Sequence, residues 1–290
     1  MVEFLHQFAS GLALGGIYAI VALALVMIYQ ATQLVNFAQG EMAMFSTYLA
    51  WRMIDSGKPY WLAFIVTVLI SFVGGMAIER IVVRPFAKAP ILASVIVFIG
   101  LSFIFNALAG WLYGYSIQSF DTPFNGRPWF GNVYMSAHES GSVLVTFVVL
   151  ALVYGFFRFT PLGLALRASA QNPVSSRLVG VRVGWMLAMG WGLAAAIGAV
   201  AGMMAAPIVY LDPNMMGGIL LYAFAGAVLG GIDNPWGAVV GGFVVGVMEN
   251  IVGAYLVGAE VKLSVALVII IGVLVVKPSG LFGRRIVARV

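Results

Sequence analysis

Two carboxylates sit inside hydrophobic sequence. Glu249, followed by Asn250, lies roughly midway along an apolar stretch from Trp236 to Val257. Glu41 lies early in another, Phe37 to Met53, just after Asn36, Gln39 and Gly40. An ionisable group in lipid is costly and usually marks a pathway or a paired site. Two readings stand for Glu249: a pathway or gate group, or a buried carboxylate held by structural hydrogen bonds. No cation lies at helical spacing from it. Glu41, nearer a membrane interface, fits the structural reading better. Glu79 and Arg80 read as an interfacial pair, or as groups that snorkel to the surface.

Patterns for catalysis are absent. GxxxxGK[ST] does not occur, since Lys58, Lys88, Lys262 and Lys277 each have the wrong neighbours, so the chain has no recognisable means of hydrolysing ATP itself. HExxH and GxSxG are missing, and His6 and His138 are far apart. With no cysteine there is no thiol nucleophile, disulfide framework or Cys-based metal site. No residue is assigned to catalysis or to a metal, and the chain is not expected to be an enzyme.

The most informative polar stretch is TPLGLALRASAQNPVSSRLVGVRVGW, Thr160 to Trp185. Asn172 followed by Pro173 reads as an N-cap and a first helical position. Pro173 to Val179 gives about two turns, and Gly180 suits the left-handed position just past a helix end. A second helical piece, Leu164 to Gln171, precedes it. Small residues (Ala168, Ala170, Ser175, Ser176) would let such a helix sit closely in a partner's groove. A plain connector between spans is the alternative.

The elements that carry these residues are set by composition. The chain is 62% hydrophobic and 9% charged, with a mean hydropathy of +1.05, against roughly 25% charged residues in a soluble domain. Such a surface is stable only against lipid, where backbone groups must be satisfied within helices or closed barrels. Nine apolar stretches can be marked: Phe8 to Tyr29, Phe37 to Met53, Trp61 to Ile78, Ile91 to Leu112, Gly141 to Phe159, Trp185 to Tyr210, Gly217 to Ile232, Trp236 to Val257 and Val261 to Val276. A spanning helix needs about 20 residues. Most stretches qualify; the seventh and ninth are short, and the seventh could be a half-helix or re-entrant segment. The fold class is all-α, a polytopic transmembrane bundle of about eight or nine spans, in one domain over residues 1–290.

Placing the loop from Arg158 to Arg182 inside and counting alternately puts Arg80, Arg84, Lys88, Arg158, Arg167, Arg177, Arg182, Lys277, Arg284, Arg285 and Arg289 inside. Only Arg52, Lys58, Arg127 and Lys262 fall outside, a clear positive-inside bias. Nine crossings put the N-terminus outside and the C-terminus inside; eight result if Phe37 to Met53 only dips in, with the N-terminus then inside. No basic n-region marks a cleavable signal peptide in MVEFLHQF. The net charge of +5 serves topology and forms no stripe suited to nucleic acid. The longest outside segment, Tyr113 to Ser140, holds Asp121, Pro123, Pro128, Trp129 and Glu139, and reads as a connector or a docking surface.

Small-xxx-small pairs recur at Gly11/Gly15, Gly198/Gly202, Gly226/Gly230, Gly237/Gly241 and Gly242/Gly246. They let helix backbones approach closely. Packing is the larger reading, and helices lined this way can also slide and bend.

Four segments carry a resemblance. GLALGGIYAIVALALVMIYQATQLVNFAQGEMAMFSTYLAW, Gly11 to Trp51, resembles the opening of permease subunits of branched-chain amino acid ABC transporters. GLALRASAQNPVSSRLVGV, Gly163 to Val181, resembles their ATPase-facing loop; LGGIDNPWGAVVGG, Leu229 to Gly242, their glycine-rich signature; and KPSGLFGRR, Lys277 to Arg285, their terminal basic motif. The matches lie in order and cover nearly the whole chain. The resemblance implies a subunit of a bacterial or archaeal cytoplasmic membrane complex: a second permease subunit, two cytoplasmic ATPase subunits and a periplasmic solute-binding protein. No cofactor is expected on this chain, ATP and magnesium being used by the partners.

By that resemblance Arg167, Ala168, Asn172, Pro173 and Gly180 map onto the coupling loop of residues 160–185. Asn36, Gln39, Gly40 and Glu41 map onto an NFAQGE motif, and Gly230, Gly231, Glu249 and Asn250 join them as family-motif or pathway candidates. Gln171-Asn172-Pro173 departs from a more acidic stretch in many relatives, which bears on which ATPase docks. Urea, short amides or other amino acids are alternative solutes. An ion-coupled secondary transporter is the rival class, with Glu249 as its support, and a scaffold without transport is a third.

Overall fold

The alternation of long apolar runs with Asn-Pro, Gly and charged breaks produces helices and almost nothing else. The computed structural model describes residues 2–86, 89–126, 134–258 and 261–283. Lys88, Arg127, Pro128, Trp129, Arg284, Arg285 and Arg289, used above for sidedness, the outer loop and the terminal motif, lie outside the described residues. The helices are α1 (Val2–Thr32), α2 (Gln39–Asp55), α3 (Tyr60–Ile78), α4 (Ile91–Tyr113), α5 (Ala137–Phe159), α6 (Pro161–Gln171), α7 (Pro173–Leu178), α8 (Val183–Val209), α9 (Met216–Gly230), α10 (Pro235–Val252) and α11 (Lys262–Val276). Among the described residues the only extended pairing is Gln118 with Leu211.

Among the described residues, six helical segments are long and apolar enough to cross a membrane, and α9 and α11 are apolar but shorter. The 17 residues of α2 reach about 25 Å, short of a ~30 Å hydrocarbon core. This is a multi-pass membrane protein, and α2 is the element on which a count of eight or nine turns. Its apolar outer faces fit lipid: Ile65, Leu69 and Val73 of α3 and Ile96 and Phe103 of α4 are exposed. Polar side chains turn inward instead, as where Ser71 Oγ donates to Ser46 Oγ at 2.8 Å.

The chain forms two compact units. Unit 1 comprises Met1–Val26, Phe124–Thr146 and Gly218–Val290; unit 2 comprises Met27–Pro123 and Phe147–Gly217. In unit 1, α10 is flanked by glycine contacts. A Cβ at Gly11 or Gly15 of α1 would stand 2.9 Å from the Cα of Val247 or Phe243, and one at Gly226 of α9 would stand 2.7 Å from the Cα of Gly242. In unit 2, α2 packs on α8, where Gly198 faces Gln39 and Gly202 faces Thr47 and Ala43. The α3–α8 crossing is equally close, since a Cβ at Gly192 would stand 2.7 Å from Phe72 O. All five glycine pairs therefore have a member at a helix crossing.

One expectation is corrected. Glu79 pairs with Arg84, at 2.7 Å, and not with Arg80. Residues Glu79–Val83 form a π-helical turn, whose wider winding brings i and i+5 onto one face. Arg80 points elsewhere, its guanidinium 5.3 Å from the centroid of the Trp185 ring, a cation–π arrangement.

Candidate functional site

The α6–α7 segment of unit 2 is built by two successive caps. Thr160 Oγ1 accepts from Gly163 N at 3.0 Å, with Pro161 in the first turn of α6. Gly163, Leu166 and Ser169 are buried, and Gly163 lies against the Phe156–Phe157 backbone of α5, where no side chain would fit. Asn172 Oδ1 then accepts from Ser175 N at 2.9 Å, and Asn172 N donates to Ala168 O at 2.9 Å. Gly180 has φ +86° and closes α7 by donating to Arg177 O at 3.0 Å, while Val181 N donates to Ser176 O. Asn172, Pro173 and Gly180 thus build one capped turn, with Arg167 and Ala168 on α6 just before it, and α7 ends at Leu178, one residue before the expected Val179.

This turn exposes apolar side chains. Val174 is 68% exposed, Leu178 83% and Val179 79%, whereas Ser176 faces inward. The following helix is anchored at its first turn: Arg84, held by Glu79, also donates to Gly184 O. The end of α3 is therefore tied to the start of α8, just beyond α7.

Asn36 and Gln39 seat the start of α2. Both are fully buried. Asn36 Oδ1 accepts from Ala38 N at 3.1 Å, its carbonyl accepts from Gln39 N, and Gln39 Nε2 donates to Ala194 O of α8 at 2.9 Å. Gly40 is buried in the first turn. Glu41, one residue on, faces α4 and the turn after α8, with Asn106 and Asp212 as its polar neighbours.

In unit 1 Glu249 is 5% exposed. Tyr18 OH donates to its Oε2 at 2.7 Å, and the Tyr222 ring stacks on Tyr18 at 5.1 Å and brings a second hydroxyl to the same carboxylate. Beside it, Asn250 Nδ2 donates to Gln7 O at 2.9 Å, and Lys262 Nζ donates to Asn250 Oδ1 at 3.2 Å. The cation missing from helical spacing is supplied by α11.

At the other end of α10, Gly231 has φ +108° and lies against Gly283. Asn234 caps α10, accepting from Trp236 N at 3.1 Å, and its Nδ2 donates to Phe282 O. Leu281 N donates to Leu229 O at 2.8 Å and Phe282 N to Gly230 O at 3.0 Å.

A family model described as branched-chain amino acid transport system / permease component matches residues 7–274. The chain belongs to this permease family. It is 32% identical to the high-affinity branched-chain amino acid transport system permease protein LivH of Salmonella typhimurium, covering 99% of this chain and 98% of that protein. It is 31% identical to the corresponding permease protein BraD of Pseudomonas aeruginosa, with the same coverage. A probable branched-chain amino acid transport permease protein of Methanocaldococcus jannaschii is 26% identical over 91% of this chain.

In this permease the candidate residues form separate groups. The α6–α7 group and the Asn36–Glu41 group belong to unit 2, and Gly230, Gly231, Glu249 and Asn250 to unit 1. Within unit 1 the glycine signature and the described part of the terminal motif are one knot, joined by the bonds from Leu281, Phe282 and Asn234. Sequence reasoning missed Arg84, Tyr18 and Asp212. It also missed two caps, Thr160-Pro161 and Asn234-Pro235, although each shows the same signature that located Asn172-Pro173.

Proposed function

We propose that this permease is the non-catalytic, membrane-spanning subunit of an ATP-driven importer that carries branched-chain amino acids received from a separate solute-binding protein. Two cytoplasmic ATPase subunits and a second permease subunit, identical or related, complete the complex. The relatives' roles in branched-chain amino acid transport support the solute, and the positive-inside bias supports a cytoplasmic α6–α7 and C-terminus with the N-terminus outside. ATP and magnesium belong to the ATPase subunits.

The observation that carries this reading is α7. A six-residue helix is too short to be stable alone, yet it is capped at both ends and exposes Val174, Leu178 and Val179. An exposed apolar knob on a short connecting helix supports a contact with a partner protein. When the ATPases close on ATP, α7 moves with them and tilts α8 and, through Arg84, α3. Coupling requires that the states differ in their contacts with nucleotide and solute.

The test is Arg167→Ala and Gly180→Val in the reconstituted complex. Leucine uptake and solute-stimulated ATP hydrolysis should both fall at least about tenfold. Wild-type rates with normal assembly would remove α6–α7 from coupling. Uptake by the purified chain without ATPase subunits would decide instead for an ion-coupled carrier.

A further inference from the structure

Beyond the first turn of α2, unit 2 contains a half-buried acidic and aromatic cluster. Residues 41, 45 and 48 follow one another at helical spacing and so share a face. Phe45 meets Phe105 and Tyr113 of α4, with ring centroids 5.4 and 6.4 Å apart, and Tyr48 stacks on Tyr113 at 4.8 Å. The other wall is the turn after α8. Asn106 Nδ2 donates to Pro213 O at 2.8 Å and to Asn214 Oδ1 at 3.1 Å, holding that turn against α4. Gln118 and Leu211 exchange backbone bonds at 2.9 and 3.0 Å behind it. Asp212 Oδ1 accepts from Asn214 N at 2.6 Å. Tyr210, just before, has φ +64°, a left-handed conformation costly for a bulky residue and frequent at functional sites.

Two polar atoms here have no protein partner. Glu41 Oε2 is buried and unbonded, and so is the hydroxyl of Tyr48, a residue with 0% exposure. Asp212 lies within electrostatic reach of both. The nearest cation on α2, Arg52, is paired with Asp55 in an exposed i,i+3 bridge at 3.0 Å and neighbours Tyr113, not Glu41. Two carboxylates within electrostatic reach of each other favour a cation beside them, and aromatic faces strengthen the preference for an ammonium.

We propose that Glu41, Asp212 and Tyr48, flanked by Phe45 and Tyr113, form a subsite that receives the α-ammonium group of the amino acid in transit. The aromatic walls then face its apolar side chain. The proposal rests on the reading of this chain as an amino acid permease. The cluster lies toward the C-terminal ends of α4 and α8, whereas α7 adjoins the N-terminal start of α8, so the subsite is well away from the coupling turn along the chain's own helices.

The experiment uses the complete reconstituted complex. A diazirine analogue of leucine, activated during turnover, should label residues 41–52 and 105–113 of the wild-type chain. Glu41→Gln and Asp212→Asn, which keep shape and hydrogen bonding, should each lower leucine uptake by at least about tenfold, the worth of one charge-assisted contact, while ATP hydrolysis stimulated by the binding protein persists. Labelling elsewhere on the chain, or wild-type uptake in both variants, would overturn the subsite while leaving the importer reading intact. If a variant does not assemble, the wild-type labelling alone decides. Uptake that requires sodium or a proton gradient, with the requirement lost in Glu41→Gln, would replace the ammonium by an inorganic cation. A wild-type complex that moves no amino acid would overturn the importer reading and the subsite with it, an outcome distinct from the others.

Discussion

Glu249 and Glu41 occupy similar sequence settings and opposite chemical ones. In unit 1 the carboxylate of Glu249 accepts from Tyr18, has Tyr222 beside it, and is followed by an Asn250 bonded to Lys262. In unit 2 the carboxylate of Glu41 has Asn106 as its one hydrogen-bonding neighbour, a buried Oε2 with no protein partner, and a second acid, Asp212, within electrostatic reach. A buried charge whose partners are complete holds helices in register. A half-buried charge left incomplete favours a visitor. Rarity in the membrane flags both residues alike, and only the partner count separates them.

The comparison breaks first on Glu249→Ala. Truncation leaves Tyr18, itself buried, without its acceptor, and should cost about 3 kcal/mol, read as a lower thermal midpoint in detergent. Glu41→Ala should cost about 1 kcal/mol, because the only protein hydrogen bond lost is that from Asn106 and Oε2 has none to lose. Equal losses in the two variants would erase the distinction. A finer test pairs two tyrosines. Tyr18→Phe removes a 2.7 Å bond to a carboxylate and should destabilise by about 1.5–2 kcal/mol. Tyr48→Phe removes a hydroxyl without a partner and should leave the midpoint unchanged or slightly raised. The smallest effect is expected for Lys262→Met, about 0.5 kcal/mol, since its ammonium reaches Asn250 at 3.2 Å and does not touch Glu249 directly. A drop as large as that of Glu249→Ala would make Lys262 the principal partner.

The parts of this molecule that are legible in sequence are those governed by local chemistry. Asn172-Pro173 and Gly180 locate α7 to within one residue because caps act over three or four positions. Apolar runs locate every long helix for the same reason, and glycine spacing marks the helix crossings. Glu79 shows where local reasoning fails: a π-turn changes which residues are neighbours, so Arg80 is the nearer residue in sequence and Arg84 the actual partner. Glu249 and Glu41 show a different failure. Tyr18 meets Glu249 across 231 positions, and Asp212 reaches Glu41 only because α8 returns its C-terminal end to α2 and α4. No spacing rule encodes such meetings; they follow from how the helices pack within each unit.

The length of α8 acquires a meaning from its two ends. Its 27 residues extend about 40 Å, with the Gly184 anchor in the first turn and the Asp212 turn just past the last. A helix advances about 100° per residue, so adding or deleting a single residue in its middle would turn one end about 100° against the other. The Asp212 turn would then face away from Glu41 while the Arg84–Gly184 anchor stayed in place. Loops of this permease can drift in length without such penalty, but α8 works as a gauge: its residue count keeps the two ends in phase.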